Sequence, residues 1–407
     1  MKKLPLRTIL IIFLIASGTT VMYSLPYLKS TFYDPMRLAL GLDHQQLGNL
    51  LSIYGLLSTV LYFFGGFIAD KFSAKKLMAG SLISTGLLGF YFSTFPPYPI
   101  LIAIFAAWGV TTILTFWAAS MKVIRMLGDD EIQGKLFGFN EGLSGIAGVV
   151  VSFIGLYFFQ YFSDITLGFR SIVWLYSGLS IFCGILVFFV VQEKNVIGEK
   201  SPSLTDLLSA LKMTKAWLIG LIIFCTYIIF SSLTYLNPYL KDGFAVSLTI
   251  ISAIAILRTY AIKIGASPLA GILSDKVGSS LKILSYGFVI IALCEVIYLL
   301  LPRTSDFVIL AVINMIVLSI FLFGFRGIYF ATVAESKIPV EKTGAVIGLA
   351  SFIGFSPDAF FYTIVGGWID QGPEGYTYLF SVCLVCAIIG FLASRILYKL
   401  NQKETLS

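Results

Sequence analysis

Histidine is almost absent from this chain: His44 is the only one among 407 residues. Cysteine is limited to Cys183, Cys225, Cys294, Cys383 and Cys386, each inside an apolar run. Cys383 and Cys386 form a C-x-x-C, but one helical turn in lipid is a poor metal site, so no metal is expected. No G-x-x-x-x-G-K-[ST] loop occurs to cradle a nucleotide phosphate, which argues against direct use of ATP and leaves no cofactor to expect. An enzyme buried in a membrane would need a nucleophile, an acid/base pair or a metal cluster, and no such set converges in the sequence, so the chain reads as a non-enzyme. Charge is scarce as well, with only 12% Asp, Glu, Lys and Arg.

Apolar residues are what the chain has, at 58%. A water-soluble fold cannot hide that much apolar surface, so the solvent is lipid. A spanning helix needs about 20 mostly apolar residues. Twelve such runs are present, at roughly 6–28, 46–69, 76–95, 98–121, 137–160, 170–191, 215–237, 247–272, 281–301, 306–333, 344–369 and 376–398. The basic N-terminus and first apolar run resemble a signal peptide, but the run continues past Gly18 and is long enough to span, so it reads as a retained first helix.

The formal net charge of +7 does not call for nucleic acid. With the N-terminus in the cytoplasm, twenty of the 28 Lys and Arg residues fall on inside loops and ends, and five, including Lys29 and Lys241, on outside ends. That bias is the positive-inside pattern, and it places both termini in the cytoplasm.

Segments recur along the chain. Y-S-L-P-Y-L-K at Tyr23 to Lys29 returns as Y-L-N-P-Y-L-K at Tyr235 to Lys241, an offset of 212. G-F-I-A-D-K-F-S at Gly66 returns as G-I-L-S-D-K-V-G at Gly271, an offset of 205, and Gly134 to Gly138 pairs with Gly344 to Gly348 at 210. Three pairs in order at nearly one offset divide the chain into two six-helix halves, 1–192 and 215–407. Between them, 193–214 is the longest polar stretch. Within it, Ser203 and Asp206 have capping-box spacing, and Leu204, Leu207, Leu208 and Leu211 share one face of a short amphipathic helix.

The Gly66 and Gly271 stretches resemble the loop motif of the major facilitator superfamily, Gly-x-Leu-Ala-Asp-Arg-x-Gly-Arg-Arg/Lys. Gly and Asp match in both copies, Lys stands for Arg in both, and Ser73 and Ala74 depart from the pattern in the first. The resemblance implies an all-α membrane protein of twelve transmembrane helices in two pseudo-symmetric six-helix bundles. It also implies a secondary transporter that rocks its halves about a central site, with helices one, four, seven and ten facing a cavity. The gating residues it implies are Gly66, Asp70, Lys71, Arg125, Gly271, Asp275 and Lys276. The glycines would allow close helix packing, and the aspartates would meet a helix N-terminus or a cation such as Arg125.

A charge at mid-bilayer costs roughly 2.5–3.5 kcal/mol on insertion scales, so each one within a span calls for a reason. Arg258 lies near the middle of helix eight and cannot lose its proton, so it must face water, an anion or a carboxylate. Asp358, just after Pro357 in helix eleven, is a carboxylate at similar depth; the two either form a static bridge or serve a solute and a proton. Lys263 lies about 7–8 Å further along helix eight and is rotated by about 140° from Arg258 in a regular helix. Arg326 on helix ten and Glu141 on helix five complete the interior set, with Glu141 available to bridge or carry a proton. Glu295 falls on helix nine, which the resemblance turns toward lipid, and reads as structural or interfacial.

The interior surplus of cations favours a small organic anion as solute: a carboxylate, sugar acid or organophosphate. Arg258, Arg326 and Lys263 would bind it, with Trp117, Tyr235, Asn237 and Asn314 supplying stacking and hydrogen bonds, and Asp358 and Glu141 carrying protons if transport is proton-coupled rather than by exchange. Efflux of neutral or cationic compounds is the alternative, and a non-transporting receptor a remoter one. The expected setting is a bacterial inner membrane, as a monomer in a lipid bilayer.

Overall fold

The computed structural model describes residues 6–127, 133–191 and 210–406. Among these, ten helices are long and apolar enough to cross a membrane: Leu6–Leu40 (α1), Tyr98–Met126 (α4), Gly138–Tyr161 (α5), Ile165–Val190 (α6), Thr214–Phe244 (α7), Leu248–Val277 (α8), Ser280–Leu300 (α9), Ser305–Ile328 (α10), Lys342–Asp370 (α11) and Glu374–Lys403 (α12). His44–Lys71 (α2) and Ala74–Phe92 (α3) are the other two long helices, of 28 and 19 residues. The amphipathic helix expected at Ser203 to Leu211 lies almost wholly outside the described residues.

The helices pack as two compact units, α1–α6 with Leu248–Ala261 and α7 with Ile262 onward. Inside the first unit, α1 packs on α5 and α6, α2 on α4, and α3 on α6. Inside the second, α7 packs on α11 and α12, the later half of α8 on α10, and α9 on α12. Each pair in one unit has its counterpart six helices later, so the sequence repeat is also a repeat of packing. The first half of α8 is assigned by packing to the first unit, where it meets the end of α1 and α5.

Large apolar side chains on the outer faces are left uncovered, among them Phe189 (75% exposed), Leu300 (76%) and Ile309 (70%). Water would oppose such a surface, whereas hydrocarbon accepts it.

The helices begin and end as local chemistry dictates. Ser73 accepts from the amide of Lys76 at the start of α3, and Ser279 accepts from that of Lys282 at the start of α9. The departure at Ser73 thereby has a physical account. In the second copy the turn contains one more residue before its cap, Gly278, at φ +70°, where a Cβ would be strained. In the first copy the cap itself occupies the motif's glycine position at φ −57°, and no glycine is required.

Among the described residues five spans are broken, α11 by a 3₁₀ turn at Ser356–Ala359. α1 does not end near residue 28: it turns at Leu25–Leu28 and continues to Leu40, with Phe32 out of helical geometry. Pro26 lies in that turn and supplies no amide, so the bond it would make is already forgone. α7 passes through a 3₁₀ turn at Leu233–Tyr235, just before Pro238. α4 and α8 contain π-helical segments at Val110–Trp117 and Leu257–Ala261.

Candidate functional site

The irregular turns carry most of the candidate residues. Trp117 ends the π segment of α4, Arg258 sits in that of α8, Tyr235 ends the 3₁₀ turn of α7, and Asp358 lies in a 3₁₀ turn of α11 at Ser356–Ala359. A departure from α geometry frees carbonyls and re-aims side chains, and membrane proteins tolerate it where protein or a wet cavity satisfies the backbone.

In the first unit, Arg258 is 2% exposed, and its Nη2 donates to the carbonyl oxygen of Ser30 at 2.9 Å. Lys29, adjacent in sequence to that carbonyl, is fully buried. The sequence reading had placed Lys29 on an outside end. The structure buries it within the first unit, because α1 turns at Leu25–Leu28 and continues as helix through Leu40. Tyr260 hydrogen-bonds Ser24 at 2.8 Å, and its ring lies against Gly148, where a Cβ would come within 2.1 Å of the ring. The G-L-S-G-I-A-G run of α5 therefore makes room for an aromatic ring from α8.

An aromatic wall lies in the same unit. The Tyr23 hydroxyl donates to the Thr112 carbonyl at 3.0 Å, within the π segment of α4, and Tyr54 bonds the Thr112 hydroxyl at 2.9 Å. Trp117 meets Tyr23 and Tyr62 edge-on at 6.3 and 6.2 Å, and Tyr27 meets Tyr54 at 5.2 Å. Glu141, by contrast, is exposed on α5.

In the second unit, Asp358 is buried and its Oδ2 accepts from the Tyr227 hydroxyl at 2.9 Å. Tyr362 also faces Asp358, and Arg326 acts electrostatically on Tyr227. The exposed Arg326 guanidinium lies 4.2 Å from the centre of the Phe230 ring, a cation–π contact, and Phe230, Tyr227 and Phe355 run on as an aromatic chain. The Tyr235 hydroxyl donates to the Tyr362 carbonyl at 2.6 Å, and Asn314 donates to the Cys294 carbonyl at 2.9 Å, so both brace backbone within this unit. Asn237 is buried on α7, and Lys263 is half-buried on α8. Arg258 sits in a π segment that runs to Ala261, so the rotation expected for a regular helix does not apply to Arg258 and Lys263.

At the loop copies, Lys71, Arg125, Asp275 and Lys276 are exposed, while the side chains of Gly66 and Asp70 lie outside the described residues. A Cβ on Gly271 would meet no atom within 4 Å, so close packing is not what this glycine provides here. The residue that ties this end of the second unit together is one the sequence reading did not single out, Glu335. Its carboxylate accepts from the Ser279 hydroxyl and, at 3.0 Å, from the Leu281 amide at the start of α9. Its carbonyl accepts from Asn401, and the next residue, Ser336, accepts from Lys215 at 2.9 Å. A carboxylate after a helix end carries no periodic signal, so only the fold reveals this partnership.

Buried charge, broken helices and a six-plus-six repeat agree with a comparison to known families. The Major Facilitator Superfamily model matches residues 8–362. The chain belongs to that superfamily. It is 35% identical to Inner membrane protein YihN of Escherichia coli (strain K12), over 95% of this chain and 94% of that protein. It is 30% identical to Inner membrane protein YqcE of the same organism, over 88% and 86%. Among solved structures, a bacterial homolog of the human lysosomal transporter Spinster, inward-facing and unoccupied, has a TM-score of 0.76 at 13% identity, covering 98% of this chain and 99% of that one. The nucleoside transporter NupG has a TM-score of 0.71 at 17% identity, covering 96% and 98%. At such identities the likeness shows the fold alone. As a superfamily member the protein is a multi-pass membrane transporter and not an enzyme.

Proposed function

We propose that the protein moves a small organic anion (a carboxylate, sugar acid or organophosphate) across a bacterial inner membrane by alternating access, as a monomer with both termini in the cytoplasm. The observation that carries this reading is Arg258, a permanent cation 2% exposed in a broken turn of α8. A guanidinium has five donors and cannot be neutralised by losing a proton, which suits it to hold an anion. Trp117 and the neighbouring tyrosines supply a face for the solute's carbon skeleton. Arg326, Lys263 and Asn237 remain further residues that the sequence nominates for the solute. Coupling is to protons or by exchange, with Asp358 and Glu141 the carboxyls the sequence nominates. Gly66, Asp70, Lys71, Arg125, Gly271, Asp275 and Lys276 remain the proposed gate.

A thermal-shift screen of the purified protein against organic anions tests the reading. Stabilisation by one chemical class, lost in Arg258→Gln while the ligand-free melting temperature is kept, is the expected result. Stabilisation by cationic or neutral compounds alone, or an undiminished shift in Arg258→Gln, would sink it.

A further inference from the structure

Among its described residues the second unit buries two carboxyls within its spans, and their surroundings are opposite in kind. Asp358 accepts a hydrogen bond from Tyr227, and Arg326 acts electrostatically on that same tyrosine, so a donor and a cation stand on this side. Glu295 lies on α9, five residues or about 7–8 Å before that helix ends. The resemblance turned this helix toward lipid, yet Glu295 is only 1% exposed, because its side chain points into the packing of α9 on α12.

Among the described residues neither Glu295 oxygen has a hydrogen-bond partner. The side chains it interacts with electrostatically are thiols: Cys383 and Cys386 on α12, and Cys294 beside it on α9. Behind them stand Cys225 and Ser232 on α7. From α10 the nearby polar group is the Asn314 amide, which is engaged with the Cys294 carbonyl. Ile291, four residues before Glu295, and Leu379 and Ala387, four residues either side of Cys383, are fully buried. A carboxylate left in such a place would lack both donor and counter-charge, whereas a carboxylic acid brings its own O–H and no charge.

We propose that Glu295 is a proton-binding site of the transporter, holding a proton as the neutral carboxylic acid while Asp358 is the carboxylate. The ligand is the proton itself, and the site is separate from the tyrosine-lined one. Cys225 and Ser232 are seven residues apart and share one face of α7, whereas Tyr227 lies about 200° around the helix from Cys225. The two carboxyls thus approach α7 from opposite faces, and Ser232 immediately precedes its 3₁₀ break. In a proton-coupled cycle Glu295 is a second group of this unit, with Asp358, that carries a proton. The assignment does not depend on which solute is moved.

Infrared spectroscopy of the purified, solute-free protein at alkaline pH, where exposed carboxyls are ionised, reads this directly. A carboxylic-acid C=O stretch that shifts in D₂O is expected in the wild type and in Asp358→Asn, and is expected to vanish in Glu295→Gln. A wild-type spectrum without that band overturns the proposal and needs no variant. A band that survives Glu295→Gln, or that is lost in Asp358→Asn instead, overturns it too. Because no solute is present, any of these outcomes leaves the organic-anion reading untouched.

Discussion

Gly148 shows how much one position can carry. Its missing side chain leaves space for the Tyr260 ring, whose hydroxyl bonds Ser24 on α1. Gly148→Ala forces that ring to move and is expected to destabilise the protein by about 1–3 kcal/mol, the usual range for overpacking. Adding Tyr260→Ala relieves most of the clash, so a double-mutant cycle on melting temperatures will show coupling well outside additivity. Tyr227 is the second such position. Tyr227→Phe removes the donor to Asp358 and is expected to cost about 1.5–3 kcal/mol, the range for a hydrogen bond to a charged group. Thermal unfolding checks this, and a melting temperature equal to the wild type's would contradict the pairing. Arg258 was legible as a residue out of place in an apolar run. Lys29 was not, because a lysine beside a proline turn looks like a loop residue until the helix is seen to continue.

For single helices, the informative features are their ends and breaks. α9 begins on a two-part cap, the Ser279 hydroxyl and the Glu335 carboxylate. Glu335→Ala leaves the Leu281 amide without this acceptor and is expected to lower stability by about 1–2 kcal/mol, with Glu335→Gln falling between it and the wild type. Chemical or thermal unfolding ranks the three, and an alanine variant as stable as the wild type would remove Glu335 from this role. The π segments at Val110–Trp117 and Leu257–Ala261 have no counterpart in residue composition. They arise from the balance between backbone bonds and side-chain packing across neighbouring helices, which hydrophobic periodicity does not encode.

At the scale of the whole molecule, the basic loops lead to the expectation that both termini face the cytoplasm. Reporters fused to the N-terminus and the C-terminus should both be active only in the cytoplasm, and a periplasmic signal from either would overturn the assignment. The six-plus-six repeat predicted from three short matches reappears as a repeat of helix pairs, α3 on α6 and α9 on α12 among them. The first half of α8 packs with the first unit, so the sequence repeat does not by itself tell where a packing unit stops.

The sequence alone determined the solvent, the repeat and the family. These follow from hydropathy and short motifs, which are local and additive along the chain. It also singled out Arg258 and Asp358, because a charge in an apolar run is visible without a fold. Tertiary structure alone decided where those charges stand. It broke α1, α4, α7, α8 and α11 at particular turns, drew Lys29 into the interior, gave Glu335 the start of α9 to hold, and turned Glu295 from lipid into a nest of thiols. Each of these depends on which side chains from distant segments compete for one volume, and that information belongs to the packing and not to any single stretch of chain.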